Sequence, residues 1–496
     1  MGPEGKQAEG AAVPSGAASN LELPAQHSSH DELPLEPDGS TPDNPIAVAI
    51  DRYIQGIRDV QTCIRTYVRK SIEEKVNELE KVEQEHRAFG EIVERHEADK
   101  TDLTIAETKR ANELLSLMRK QKHSYVPEVL LSSLYVAMFS FLDTFISALI
   151  RALFEQKPDL YGAIDRRLSL DQIARLGSID AVKRALLEEE IDVLRRKSYV
   201  EQFEYMERIF GLNLRQFSDW PAFVEAGQRR NLYVHCDGVV TDQYLEICKQ
   251  QKVDLPPDVK PGAKYFLDAG HTIKTTVLMM RLGVTLGHTL WRKVLPEQQE
   301  SAGVHLRHIV YEALQRRAYK FSASIARFAL TPMMSKDSPD IDNKITTINL
   351  AIALKFDGAG EEAISLLDST DLTAAIPEFA LANAVLHDRF DDAGSIMRTI
   401  GPKGALVSEF GYHDWPLFRE FRNSRQFLDA YHEIYGTTFG ARVADAMRSE
   451  ARSTAAALEA HQREYAEGRD SLEAESTNPD AGEAPLAPPA DGPLTK

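Results

Sequence analysis

Between residues 45 and 445 apolar positions recur at helical spacing. No run of alternating β-branched residues competes with them, so the chain is predicted to be all-α. From about Pro45 to Lys122 the sequence is charged and almost free of Gly and Pro. Its apolar residues, Val76, Leu79 and Val82 and then Phe89, Ile92 and Val93, mark one face of a long amphipathic helix. That pattern fits a helical hairpin arm or a coiled coil with irregular heptads. Val129–Ile150 differs, being apolar over a length sufficient to span a bilayer. Ser140, Asp143 and Ser147 put a polar stripe along it, and an Asp near the middle of a lone span is costly. The run is therefore expected to be a buried helix of a soluble domain, with no membrane as partner.

The same periodicity divides the chain. Residues 46–122 form the arm, 123–300 a helical bundle of four or five helices opened by the apolar run, and 301–445 a helical, repeat-like region. Beyond a connector near 301–335, "NLAIALKFDGAGEEAISLL" and "EFALANAVLHDRFDDAGSIM" resemble each other. Leu354 and Leu386 open comparable phrases that end at Glu362–Ala363 and Asp392–Ala393, about thirty residues on. Residues 345–400 thus resemble tetratricopeptide-like helical repeats, which implies a surface for a protein partner or a brace for the neighbouring bundle. Residues 1–45 are polar and Pro-rich, and 446–496 run from a helix end into "EAPLAPPADGPLTK"; both are read as disordered tails.

Charge changes this picture little. The net charge of −18 belongs mostly to the tails, where residues 1–45 hold eight acids against Lys6 and residues 466–496 hold seven against Arg469 and Lys496, leaving about −6 for the body. A body so weakly acidic can still carry a basic patch, and the pairs Arg166–Arg167, Arg195–Arg196 and Arg229–Arg230 are candidates beside the simpler reading of solvated helix surface. Cys63, Cys236 and Cys248 have no paired spacing, so neither a disulfide scaffold nor a Cys-rich metal site is supported. No metal and no cofactor is expected. Without an apolar stretch near the N-terminus a secretory signal is not expected either, and a cytoplasmic location follows.

Candidate chemistry gathers in "RRNLYVHCDGVV" at 229–240. Arginine offers phosphate a fixed fork of donors and histidine moves a proton near neutral pH. With 35 Arg and 14 His in the chain any single Arg–His spacing arises about once by chance, and Arg281–His288 and Arg425–His432 are such coincidences. Arg230–His235 is distinguished by Asn231 directly after the arginine and by Asp237–Gly238, a helix stop directly after the histidine. On a continuous helix Asn231 and His235 share a face, whereas Arg230 and His235 are about 140° apart. Convergence of the two requires a helix that loosens near His235, or a second subunit.

Residues about 125–295 resemble a HEPN domain, an all-α family whose signature is Arg, a polar residue, three variable residues and His, here R-N-x-x-x-H. "RRNLYVHCDGVVTDQYL", the preceding "MERIFGLNL", and an acidic residue on the first apolar helix, Asp143, carry that resemblance. It implies metal-independent cleavage of RNA to a 2′,3′-cyclic phosphate by a homodimer, in stress response or defence. Arg230, Asn231 and His235 would be catalytic: His235 as proton donor or acceptor, Arg230 on the phosphate, Asn231 orienting. Arg229 and Asp143 would assist in binding substrate. Cys236 departs from the polar residue common in the family. The competing reading is a non-catalytic HEPN-like module that binds RNA or nucleotide or dimerises, with repeats that recruit a protein.

Overall fold

The computed structural model describes residues 44–122, 125–165, 168–372 and 376–448, together with 450, 451, 454 and 462. The two tails expected to be disordered lie almost entirely outside the described residues, as does the Arg166–Arg167 pair. Every regular element among the described residues is helical, and one isolated bridge, Val239 to Lys264, is the extended pairing.

Helix α1 (Pro45–Cys63) opens with Pro45 at its first position and Asn44 as its cap, the Asn44 carboxamide oxygen accepting from the Ile46 N–H at 2.9 Å. Pro45 thus begins a core helix rather than ending a tail. Ile46, Ile50, Tyr53, Ile54 and Ile57 are buried, and α1 packs against α4 (Val126–Gln156) and α10 (Ala269–Val294). The approach to α10 is close: a Cβ on Gly283 would overlap the Tyr53 ring, and one on Gly287 would lie 2.7 Å from the Ile50 side chain. One π-helical turn (Ile64–Val68) joins α1 to α2 (Arg69–Asp99). Only from there does the chain leave the core, so the arm is the hairpin of α2 and α3 (Ile105–Lys122), closed by a small cluster of Val82, Phe89 and Leu114. Val76 and Leu79 stay exposed.

By length and composition α4 is apolar enough to cross a membrane. Its Leu131, Tyr135, Met138, Phe139, Leu142 and Phe145 are buried, and the helix packs against α1, α10 and α8 (Trp220–His235). α6 (Ile179–Arg195) and α7 (Tyr199–Phe210) pack beside it, with α5 (Leu170–Leu176) on α6 and α9 (Asp242–Gln250) on α8.

The repeat-like region contains one hairpin more than its sequence suggested. The segment expected as a connector holds α11 (Gln299–Gln315), α12 (Tyr319–Ala329) and α13 (Pro332–Ser335), and the pair α11–α12 turns as α14–α15 (Asp340–Phe356, Gly360–Asp368) and α16–α17 (Pro377–Leu386, Phe390–Ile400) do. Each turn places one residue in the left-handed region, Arg317, Gly358 and Asp388 respectively. Each then returns an N–H to a carbonyl five residues back: Ala318 to Ala313, Ala359 to Leu354 and Arg389 to Ala384, at 2.8–2.9 Å. α18 (Glu409–Asp414) and α19 (Arg425–Tyr435) complete the stack. One apolar core runs without a break from Ile46 to Tyr431, so these hairpins brace the bundle.

Between α10 and α11 lies a buried histidine pair. His288 Nε2 and His305 Nδ1 are 3.1 Å apart, and His305 Nε2 is 3.1 Å from the exposed Asp51 carboxylate. Burial first, then the His305 and Arg292 charges, push the His288 pKa well below its ordinary value. The unfolded chain therefore binds a proton there that the native state refuses, so this contribution to stability is full above the unfolded pKa near 6.5 and is lost as pH falls below it. Lowering pH from 7 to 5 should depress the melting temperature more in the native chain than in His288→Gln. Equal slopes in a calorimetric pH series would refute this.

Candidate functional site

Helix α8 is fixed before its motif is reached. Arg281 of α10 makes two hydrogen bonds to the Asp219 carboxylate at its start, and Trp220 and Phe223 pack on Phe203 of α7. In mid-helix the Tyr135 hydroxyl of α4 donates to the Ala226 carbonyl at 3.1 Å. Gly227 lets the Tyr199 ring approach α8 closely, since a Cβ there would lie 3.1 Å from that ring, and the ring would have to give by a few tenths of an ångström.

The far end is closed rather than frayed. The Leu232 carbonyl accepts from both the Cys236 N–H (2.8 Å) and the Gly238 N–H (3.0 Å), with Asp237 and Gly238 both in the left-handed region. Asp-Gly is thus the stop that the sequence predicts. The expected loosening near His235 is not found, because α8 is regular through His235 and the two hydrogen bonds to the Leu232 carbonyl seal it. Gly238 also permits close approach, since a Cβ there would lie 3.1 Å from the Tyr233 ring and 3.2 Å from the Tyr265 carbonyl oxygen. That loop, 262–265, pairs back on 238–240 through Tyr265 N–H to Gly238 O (2.8 Å) and Val240 N–H to Ala263 O (2.9 Å).

The two arginines part ways. Arg229 is 3% exposed and points inward, where its guanidinium meets the Glu225 carboxylate at 2.7 Å, donates to the Tyr265 hydroxyl at 2.6 Å and lies 4.0 Å from the Tyr265 ring centroid. Glu225 also accepts from the Tyr244 hydroxyl at 2.7 Å. Where the sequence reading has Arg229 assist in holding substrate, its donors are turned into the core: they hold Glu225 of the same helix and the Tyr265 hydroxyl of the 251–268 loop, and Glu225 in turn links to Tyr244 of α9. Burial, the largest effect, opposes its charge, but the Glu225 charge together with Tyr135, Tyr265 and the Glu225 hydrogen bond outweighs it, so its pKa is raised.

Arg230 is half-buried, and its Nη1 donates to the Asn231 side-chain oxygen at 3.1 Å. Its Nε is buried with no hydrogen-bond partner among the described residues. Across the gap to α4 and α7 stand Asp143 and Tyr199, the tyrosine hydroxyl donating to the carboxylate at 3.1 Å. Burial raises the Asp143 pKa above the ordinary carboxylate value, against the opposing effects of the Tyr199 hydrogen bond and of the Arg230 and Arg195 charges. Asp143, the least obvious of the sequence candidates, therefore sits within the electrostatic reach of Arg230. His235 is exposed on the last turn, one turn beyond Asn231. Cys236 is half-buried against Leu232, Val240, Tyr244 and Cys248, so it packs rather than serving as a polar group.

One chain thus brings Arg230, Asn231 and Asp143 together and leaves His235 about 140° round the helix from Arg230. Tyr199 and the Glu225–Tyr244–Tyr265 network were missed in sequence. The one advance sign was the spacing of Glu225 and Arg229, four apart on a helix, which is an ion-pair spacing. Among the described residues no three His, Cys, Asp or Glu side chains are grouped to hold a metal ion. Compared with protein-family models, with curated proteins and with solved structures, the chain gives no match. None of these comparisons bears on the HEPN resemblance.

Proposed function

We propose that the chain is a cytoplasmic, HEPN-type endoribonuclease that cleaves RNA at the C-terminal end of α8 as a homodimer. The observation that carries this reading is the Arg230 guanidinium, fixed by Asn231 and with a donor unspent, on the same helix end as an exposed histidine. A phosphodiester needs both kinds of group. His235 takes the proton from the ribose 2′-hydroxyl, the oxygen attacks phosphorus, and Arg230 balances the charge that grows on the phosphate oxygens. The 5′-oxygen leaves with a proton, and the product ends in a 2′,3′-cyclic phosphate. One histidine performs one of these transfers at a time, and a second copy of the motif across a twofold axis supplies the other. Repeat hairpins α11–α17 offer the surface for a protein partner or a trigger.

Dimerisation makes this reading testable by dilution. In EDTA, RNA cleavage per mole of protein should rise with protein concentration and level off where sedimentation shows the dimer. RNA that is bound yet stays intact at every concentration would make the chain a binding module and overturn the proposal.

A further inference from the structure

A second concave site lies away from the end of α8. It is an open cleft of about 600 Å³ between the π-helical turn, the middle of α10 and the tip of the α11–α12 hairpin. That volume suits a small organic ligand. Its walls carry five cations, Arg58, Arg65, Arg316, Arg317 and Lys320, against Asp357. Arg58 and Arg316 are matched by Glu312, whereas Arg65, Arg317 and Lys320 make no ion pair among the described residues. Such a concentration of unspent positive charge runs against the weakly acidic balance of the body, about −6 once the tails are set aside.

Comparison with the sister hairpins sharpens the point. The three turns are built alike, yet the first reads "QRRAYK" where the others, aligned on the left-handed residue, read "FDGAGE" and "LHDRFD". The fold of the turn asks for no cations, since glycine and Asp serve equally well at the left-handed position. Arg65, moreover, projects from the π-helical turn, the kind of local irregularity that recurs at functional sites. Beside Gln61 and Thr62 of α1, the remaining wall has an apolar patch: Val277 and Met280 of α10, with the half-buried Tyr319 ring, stacked on Phe356, next to them.

We propose that this cleft binds a nucleoside polyphosphate, its phosphates against Arg65, Arg317 and Lys320 and its base against Val277, Met280 and Tyr319. Cations alone would suit any anion; the apolar wall beside them selects one with a flat, poorly hydrated part. The assignment stands independently of the reading of α8.

The full chain titrated with a fluorescent N-methylanthraniloyl ATP should show saturable binding that weakens with salt. Lys320→Glu and Arg65→Glu, both at exposed positions, should each weaken it by about tenfold or more, since each replaces an attraction to phosphate by a repulsion. Lys109→Glu on the arm should leave it unchanged. Unlabelled ATP should displace the probe better than inorganic triphosphate or a 5′-phosphorylated oligonucleotide at the same concentration. The proposal is overturned if both cleft variants bind as the native chain does. It also fails if inorganic triphosphate matches ATP, or if the oligonucleotide competes better, which would make the cleft an RNA groove.

Discussion

Arg229→Ala is expected to lower the free energy of unfolding by about 3–5 kcal/mol, whereas Arg230→Ala beside it should cost about 1 kcal/mol or less. The asymmetry follows from what each side chain leaves behind. Removing Arg229 strands the Glu225 carboxylate in a site where both residues are nearly sealed from water, and it also frees the Tyr265 hydroxyl and ring from their partner. Tyr244 alone then faces the Glu225 charge. Removing Arg230 opens a half-buried surface site whose hydrogen bond among the described residues is to the neighbouring Asn231. Urea unfolding of the two variants decides the matter, and equal losses would show that Arg229 does not bind α8 to its neighbours. Restoring neutrality with Glu225→Gln in the Arg229→Ala background should recover part of the loss.

The second large effect is on RNA. Arg230→Ala and His235→Ala should each reduce cleavage by about 10²–10⁴-fold, the range for loss of a proton-transfer group or of a charge stabiliser in the transition state. His235 is exposed at a capped helix end, so its variant should keep the native melting temperature, and activity and stability are separated in one protein. Residual cleavage within a few-fold of the native rate in both variants would place the chemistry elsewhere.

Helical periodicity made the all-α fold legible, and the Asp237–Gly238 stop was legible because left-handed backbone has few residue signatures. The buried character of α4 could be read from its serines and Asp143. Less visible was α1, whose apolar face had been assigned to the arm: its charged flank resembles that of α2, and the close approach of Gly283 and Gly287 that buries it lies more than two hundred residues away. The first repeat hairpin escaped notice because Arg317 occupies the turn position where Gly358 signals itself. At the motif, sequence alone gave both arginines the same exposed character. What separates them is about 100° of helix and partners from α4, α7, α9 and the 251–268 loop, none of which is local. Sequence also allowed a frayed end, which the paired bonds to Leu232 exclude. With α8 regular, the distance between Arg230 and His235 round the helix becomes an argument for a second subunit.

If the end of α8 cleaves RNA by attack of the ribose 2′-hydroxyl, the new ends of the RNA record it directly. Single-stranded RNA incubated in EDTA with the purified full chain, and analysed by mass spectrometry, should yield fragments ending in a 2′,3′-cyclic phosphate with 5′-hydroxyl partners, and none with His235→Ala. Intact RNA, or fragments that end in a 3′-hydroxyl, would contradict the account.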